Sequence, residues 1–376
     1  MGGWQRFGVT IAAVALAVAT AVAVMLLPPG GWGLWAATLV HNPMAAASLL
    51  RPMEDEQAAQ TKASWSPKVT PTPTAASTAT PSPTPPAAVT EEIEAEPTPT
   101  PTIPPELTNA APIESQFYEQ GSGDGYVTLR AGSIKNLTEN SDAELKAIVD
   151  AAEGGLPFEI EPDSDEPQVL ILHTHATETY QTWDAPWYDP DFGARTQDTT
   201  LNMCAVGERM TEVLNEAGIN TLHDQTLHDS PSYTESYARS AQTARAYLEQ
   251  YPSIKVILDV HRDAIESGDT RIKPLCTIDG QATAQVMIIA GCNNGSTVRL
   301  PNWRMNLQFA AAWESEMEEL YPGLTRPVMC AYRFYNQDIT TGSLLIEIGG
   351  HANTVEEALR AGEYAARALA ALFRGE

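Results

Sequence analysis

Cysteine is scarce in this chain, and so is positive charge. The four cysteines, Cys204, Cys276, Cys292 and Cys330, form no C-x-x-C pair, which excludes a thiolate zinc site of ordinary spacing. They fall in helix-like and strand-like stretches, where small buried thiols are common, so free core cysteines are expected. Lysine and arginine total 22 against 48 acidic residues, a formal net charge of -26. From residue 54 to residue 166 there are roughly four acidic groups for each basic one. Binding to nucleic acid needs phosphate neutralisation by Lys and Arg, so nucleic acid is excluded as a partner. The acidity instead fits a solvated, self-repelling outer segment. There is no G-x-S-x-G elbow for a serine nucleophile, no Walker or Rossmann glycine fingerprint, and no repeat at solenoid periods.

Charge is missing altogether between Arg6 and Arg51, and residues Phe7 to Leu27 are apolar or small. At about 1.5 Å per residue this run spans a hydrocarbon core of about 30 Å. Pro28 and Pro29 do not make a small-residue cleavage site, so the run reads as an uncleaved anchor rather than a signal peptide. Arg6 on its N-terminal side places the tip in the cytoplasm and the rest outside. The expected location is therefore the cell membrane, single-pass, with the domain that follows extracytoplasmic. A second apolar stretch, Trp32 to Leu50, is interrupted by Asn42 and Pro43 and reads as an interfacial segment.

Lys62 to Pro105 is dominated by Pro, Thr, Ser and Ala. Such a stretch cannot bury apolar surface and favours extended polyproline-type backbone. Forty-odd residues at about 3.1 Å each reach on the order of 100 Å. The organisation is thus a tip and transmembrane anchor over 1–30, a juxtamembrane segment over 31–61, a disordered linker over 62–110, and a folded domain over 111–376 with its core at 168–376.

Within that domain the pattern alternates. Tyr126–Leu129 is strand-like, and a helix over 140–150 starts at Asn140 or Ser141. Apolar runs at Val169–Leu172, Ile254–Val260, Gln285–Ala290 and Ser343–Ile346 read as buried strands. Helices are expected from Asp198 to Ala217, Ser232 to Gln250, Trp303 to Leu320 and Thr354 to Phe373, the last capped by Asn353 with Glu356 in the capping box. The fold class is α/β, a mainly parallel or mixed central sheet with helices on both faces.

Three of these strands end in chemistry. The run VLIL is followed by His173, His175 and Glu178, the second strand by His261, Arg262 and Asp263, and the third by Glu347. Open α/β sheets bind ligands at the carboxyl ends of their strands. Imidazole and carboxylate are the ligand set of a catalytic zinc, which needs three protein donors, an open position and a base. His173 or His175, with Glu178 and His261, can supply the donors, and Glu347 the acid/base group. Asp198 is a rival carboxylate. Arg262 is a candidate for a substrate carboxylate and Asp263 for orienting a ligating imidazole, unless the two merely fix the loop. His223 and His228 read as exposed loop residues, and His351 as a spare imidazole.

Residues 168–180, 228–240, 251–264, 344–350 and 353–358 together resemble the stage II sporulation protein P family, with similarity from about Tyr126 to the C-terminus. The resemblance implies a zinc-dependent N-acetylmuramoyl-L-alanine amidase fold, with cross-link endopeptidase activity alongside. It implies peptidoglycan as substrate during sporulation engulfment. It also implies a lytic transglycosylase and a polytopic membrane protein as partners. The ligands implied by the wider zinc amidases are His, Glu and His with a catalytic Glu. They fall on His173 or His175, Glu178, His261 and Glu347, although a ligand glutamate just before a helix would favour Asp198. The alternatives are a non-catalytic peptidoglycan-binding module, which has no need of Glu347, and a zinc hydrolase of another amide or ester.

Overall fold

An apolar run without alternation must be covered on both sides, and a parallel sheet between helix layers does this. The computed structural model describes residues 109–151 and 155–375. The candidate anchor, the Trp32–Leu50 stretch and the Pro/Thr linker lie outside the described residues. Among the described residues, no helix is long and apolar enough to cross a membrane.

Strands β1 (Ala111–Gln116), β2 (Tyr126–Thr128) and β3 (Ser133–Asn136) precede helix α1 (Asp142–Asp150). Then come β4 (Val169–Leu172), β5 (Trp187–Tyr188), α2 (Met203–Glu216), β6 (Thr221–His223) and α3 (Ser236–Gln250). Strands β7 (Val256–Asp263), β8 (Glu266–Ser267), β9 (Thr270–Ile278), β10 (Gln281–Ala284) and β11 (Val286–Gly291) follow. The chain closes with α4 (Trp303–Leu320), β12 (Val328–Ala331), β13 (Gly342–Gly350) and α5 (Val355–Arg374).

The main sheet has eight strands in the order β2-β3-β12-β11-β13-β7-β4-β6. It is mixed: the β2/β3 and β11/β13 pairs are antiparallel and the other five parallel. The period of two along β4 sorts the layers. Val169 and Ile171 join the core that holds Met210 of α2, Phe309 and Trp313 of α4 and Leu369 of α5. Leu170 and Leu172 face the other way, into a cluster with Ala244 and Tyr247 of α3. Helices therefore cover both faces of a mixed α/β sheet. All four cysteines are free and buried.

Several boundaries differ from the sequence expectation. Helix α2 starts after Asn202, whose side chain accepts from the Cys204 backbone N–H, and not at Asp198. Asp198 instead folds back on Thr200, accepting from its backbone N–H at 3.0 Å and its hydroxyl at 2.7 Å. Helix α5 is capped by Thr354 with Glu357 in the capping box, one residue beyond the Asn353 and Glu356 expected. Asn353 is occupied in holding the chain before the helix, donating to Pro274 O and Glu357 and accepting from the Gly350 N–H. Strands β7 and β13 continue further than their apolar runs, so His261, Arg262, Asp263 and Glu347 lie in the strands and not after them.

A second sheet was not foreseen. It joins β10, β9, β1 and β5 in that order, with β8 on β9. Its longest strand carries Lys273, which is buried and paired with Glu357 at 3.0 Å and Asp184 at 2.9 Å. Those pairs tie the sheet to the start of α5 and to the chain that follows the first strand-end motif.

Leu258 is fully buried in the central strand β7. Leu258→Ala should lower stability by ~2–5 kcal/mol in urea unfolding, as a cavity between helix-covered faces cannot collapse freely. A loss under ~1 kcal/mol would mean that this strand is not the core.

Candidate active site

Register brings the strand-end residues together. β7 and β13 are parallel, and their pairing sets Glu347 opposite His261. Alternate residues share a face, so Asp259 lies on the same side as His261. After β4 the chain turns, with the Glu178 N–H donating to His175 O at 3.0 Å. Glu178 Oε2 then stands 3.6 Å from His261 Nδ1. His261 Nε2 lies 2.8 Å from Asp259 Oδ1, and a carboxylate only accepts, so that nitrogen carries the proton. The His175 ring is 5.2 Å from that of His261, edge to face, and stacks on Tyr233 at 4.4 Å.

Several carboxylates are held in place. Arg195 bridges Glu178 Oε1 at 3.3 Å and Asp229 Oδ2 at 2.5 Å. The Arg262 backbone N–H reaches Glu178 Oε2 at 3.4 Å. Asp259 accepts from the backbone N–H and hydroxyl of Thr174 at 2.7 and 2.6 Å. Glu347 is different. It is half-buried, its Oε2 is shielded from solvent, and that oxygen has no hydrogen-bond partner.

The charges follow from these contacts. Burial disfavours the Glu178 carboxylate, but His261 and Arg262 outweigh it and hold the group down at about 2. Burial also opposes the His261 cation, yet Asp259 and Glu178 raise its pKa well above the ordinary value. Burial pulls His175 down to about 4, helped by the neighbouring His261 charge. Desolvation pushes Glu347 up to about 8, against the attraction of His261. The site thus pairs an ionised carboxylate with one whose proton is exchangeable near neutrality, the separation that acid/base chemistry uses.

The structure does not bring every candidate here. His173 is wholly buried, its Nδ1 2.8 Å from Val260 O and its Nε2 2.9 Å from His223 Nε2. A Cβ on Gly207 would stand 2.5 Å from His173 Nε2, so helix α2 needs glycine to pass. Asp198 is exposed and bonded to Thr200. Arg262 is buried, and each of its three side-chain nitrogens already donates to a backbone carbonyl, those of Thr179, Ala194 and Asp263. Asp263 pairs with Arg326 at 2.9 Å, and the imidazole-orienting role falls to Asp259. His223 and His228 are interior and not exposed: His223 meets Glu208 at 2.9 Å, and His228 is fixed between His173 O and Thr243. His351 is buried and held down at about 3 by desolvation, with Arg262 and Arg271 nearby. Sequence reasoning missed Asp259, Arg195 and Tyr233. For Asp259 the signal was present, an acid two residues before His261 inside an apolar strand.

Among the described residues, no three His, Cys, Asp or Glu side chains already stand at metal-holding distance. The donor chemistry nevertheless fits a zinc-type ion. His261 has its far nitrogen fixed by a carboxylate and its near one turned to Glu178, 3.6 Å from a carboxylate oxygen, where a metal ion would take the place of the proton. An orphaned acid oxygen on Glu347 completes the set.

The fold and this site define a mixed α/β domain with imidazoles and carboxylates gathered at its strand ends. The stage II sporulation protein P (SpoIIP) family matches residues 102–370. The chain belongs to that family. The stage II sporulation protein P of Bacillus subtilis (strain 168) is 28% identical over 288 residues, 71% of this chain and 68% of that protein. Among solved structures, the N-acetylmuramoyl-L-alanine amidase AmiC2 of Nostoc punctiforme is 12% identical, covering 55% of this chain and 96% of its own at a TM-score of 0.30. The CwlD amidase from Clostridioides difficile, solved in complex with the GerS lipoprotein, is 13% identical, covering 55% and 95% at a TM-score of 0.32. Structural likenesses this distant carry no conclusion about activity.

Glu347 offers a test by pH. Its folded-state pKa is raised, so the stability it contributes is complete below about 4.5 and is lost as pH rises through about 8. Glutamine has no such proton to lose. In metal-free protein, Glu347→Gln should therefore gain on the wild type by at least ~1 kcal/mol from about pH 5 to about pH 8. Urea unfolding at both pH values reads this, and parallel curves for the two proteins would contradict the raised pKa.

Proposed function

We propose that this protein is a peptidoglycan hydrolase acting in sporulation engulfment. It cleaves the amide between N-acetylmuramic acid and L-alanine, with zinc held by His175, Glu178 and His261. One observation carries the reading: Glu347, with an orphaned oxygen, is paired in register with His261, itself fixed by Asp259 and facing Glu178. His175 is preferred to His173 because His173 is engaged at both nitrogens. Glu178 is preferred to Asp198, which lies exposed on Thr200.

When bound, zinc supplies a Lewis acid and an acidified water. The chain's own residues do the rest. Asp259 holds the proton on the far nitrogen of His261, leaving the near one bare to donate. Arg195 holds one oxygen of Glu178 so that the other faces His261. Glu347 takes a proton from the attacking water and passes it to the leaving amine nitrogen. A module that only binds stem peptides has no use for a carboxylate with one shielded, unpartnered oxygen, which favours the enzyme over that alternative. Cross-link endopeptidase activity uses the same chemistry on a second amide.

The rest of the proposal concerns placement. The run from Phe7 to Leu27 anchors the chain in the membrane and the Pro/Thr-rich linker spaces the domain towards the wall outside. Partners there are a lytic transglycosylase, which cuts the glycan, and a polytopic membrane protein. Protease added to intact protoplasts should release a soluble C-terminal fragment. A fragment that stays protected would reverse the orientation.

Two variants test the chemistry in the full-length chain. His261→Ala should lose zinc while keeping its fold, since one missing donor of three weakens metal binding severely. Glu347→Gln should keep zinc and wall binding but release stem peptides from purified sacculi about 10²–10⁴-fold more slowly. Product masses identify the cleaved bond, so another amide or an ester would be seen directly. Wild-type turnover by Glu347→Gln would remove Glu347 from the mechanism, and full zinc occupancy in folded His261→Ala would remove His261 from the ligand set.

A further inference from the structure

A second unfinished arrangement stands beside Glu347. Arg326 lies just before β12, its backbone N–H donating to Val286 O at 2.8 Å. Val286 pairs with Ile348, the neighbour of Glu347, and Asp263 pairs with Gly350 further along the same strand. The Arg326 side chain is 7% exposed. Its Nη1 donates to Asp263 Oδ2 at 2.9 Å. Its Nε and Nη2 are both buried and have no hydrogen-bond partner. The Tyr118 ring lies 5.6 Å from the guanidinium carbon.

Buried donors left unpaired are costly, and native sites keep them where something arrives to pair them. Nε and Nη2 form the side-on fork of arginine, which matches the two oxygens of a carboxylate. Arg262 and Arg195, which also flank the site, are not in this condition. Arg262 is spent on backbone carbonyls, and Arg195 on Glu178 and Asp229. Asp263 meanwhile fixes the Arg326 guanidinium without filling the fork.

We propose that Arg326, steadied by Asp263, receives a free carboxylate of the substrate beside the scissile amide. The inference rests on the amidase reading and deepens it. The group recognised is the α-carboxylate of the stem residue that follows L-alanine. A stem in which that group is a carboxamide loses the second acceptor oxygen and the charge. Arg326 is thereby a specificity residue, distinct from the proton carrier Glu347.

The test uses the full-length chain and two muramoyl dipeptides that differ only in a free carboxylate or a carboxamide on the second residue. Binding is read by calorimetry and cleavage by product release. Wild-type protein should favour the carboxylate ligand on the order of tenfold to a hundredfold, the worth of charge-assisted hydrogen bonds. Arg326→Gln should bring the carboxylate ligand down to the level of the carboxamide. Arg326→Lys, which keeps the charge but not the fork, should retain part of the preference and guards against a folding defect in the glutamine variant. Asp263→Asn, which loosens the guanidinium but keeps both fork donors, should weaken the preference less than Arg326→Gln does, whereas a purely structural pair would fail alike in both variants. Equal affinity of wild type for the two ligands, or an undiminished preference in Arg326→Gln, would overturn the subsite. A preference in binding with no cleavage of either ligand would leave the subsite standing and sink the amidase reading instead.

Discussion

The site depends on the register between β7 and β13. Seven pairs of residues are aligned along these strands, and one of them sets Glu347 against His261. Because side chains alternate faces, a slip of one residue would send Glu347 to the side occupied by α2, α4 and α5. The pairing is irregular only beyond Glu347, between that residue and Gly350. There Gly349 adopts a φ of +64°, and a Cβ on it would stand 2.7 Å from both Ala284 and the Asn353 side chain. The glycine permits the irregularity at the end of β13, from which the chain passes to the α5 cap.

Around that register the charges are arranged as a chain of constraints. Thr174 positions Asp259, Asp259 fixes His261, and His261 faces Glu178, which Arg195 holds from behind. Each carboxylate in this series has a partner, and the ionised forms are favoured accordingly. Glu347 stands outside the series, with one oxygen unmatched, and desolvation raises its proton affinity. The same strand ends thus hold fixed anions beside one acid whose proton is exchangeable near neutrality.

Much of this was legible from the sequence, and the losses have physical causes. Parallel strands buried on both faces announce themselves as apolar runs, so β4, β7 and β13 were readable, and so was α4, end to end. Their polar ends were readable for the same reason, since a histidine or glutamate after such a run has few places to go. The second sheet was not, because β9 contains Arg271, Lys273 and Pro274 and its polarity is satisfied by partners distant in sequence. His173 and His175 differ by two positions and look equivalent on paper. Only the structure separates them, through the contact of one with His223 and the stacking of the other on Tyr233. His228 looked exposed for a related reason: its partners lie at a distant strand end and on α3. Arg326 was invisible because nothing in its local sequence marks an unpaired guanidinium.

Crystallography of zinc-loaded protein, with anomalous scattering recorded at the zinc edge, tests the central claim most directly. The account predicts one peak at the strand ends, with nitrogens of His175 and His261 and an oxygen of Glu178 at ~2.0–2.2 Å and Glu347 close by but not bound. A peak between His173 and His223, or one ligated by Glu347 itself, would contradict it.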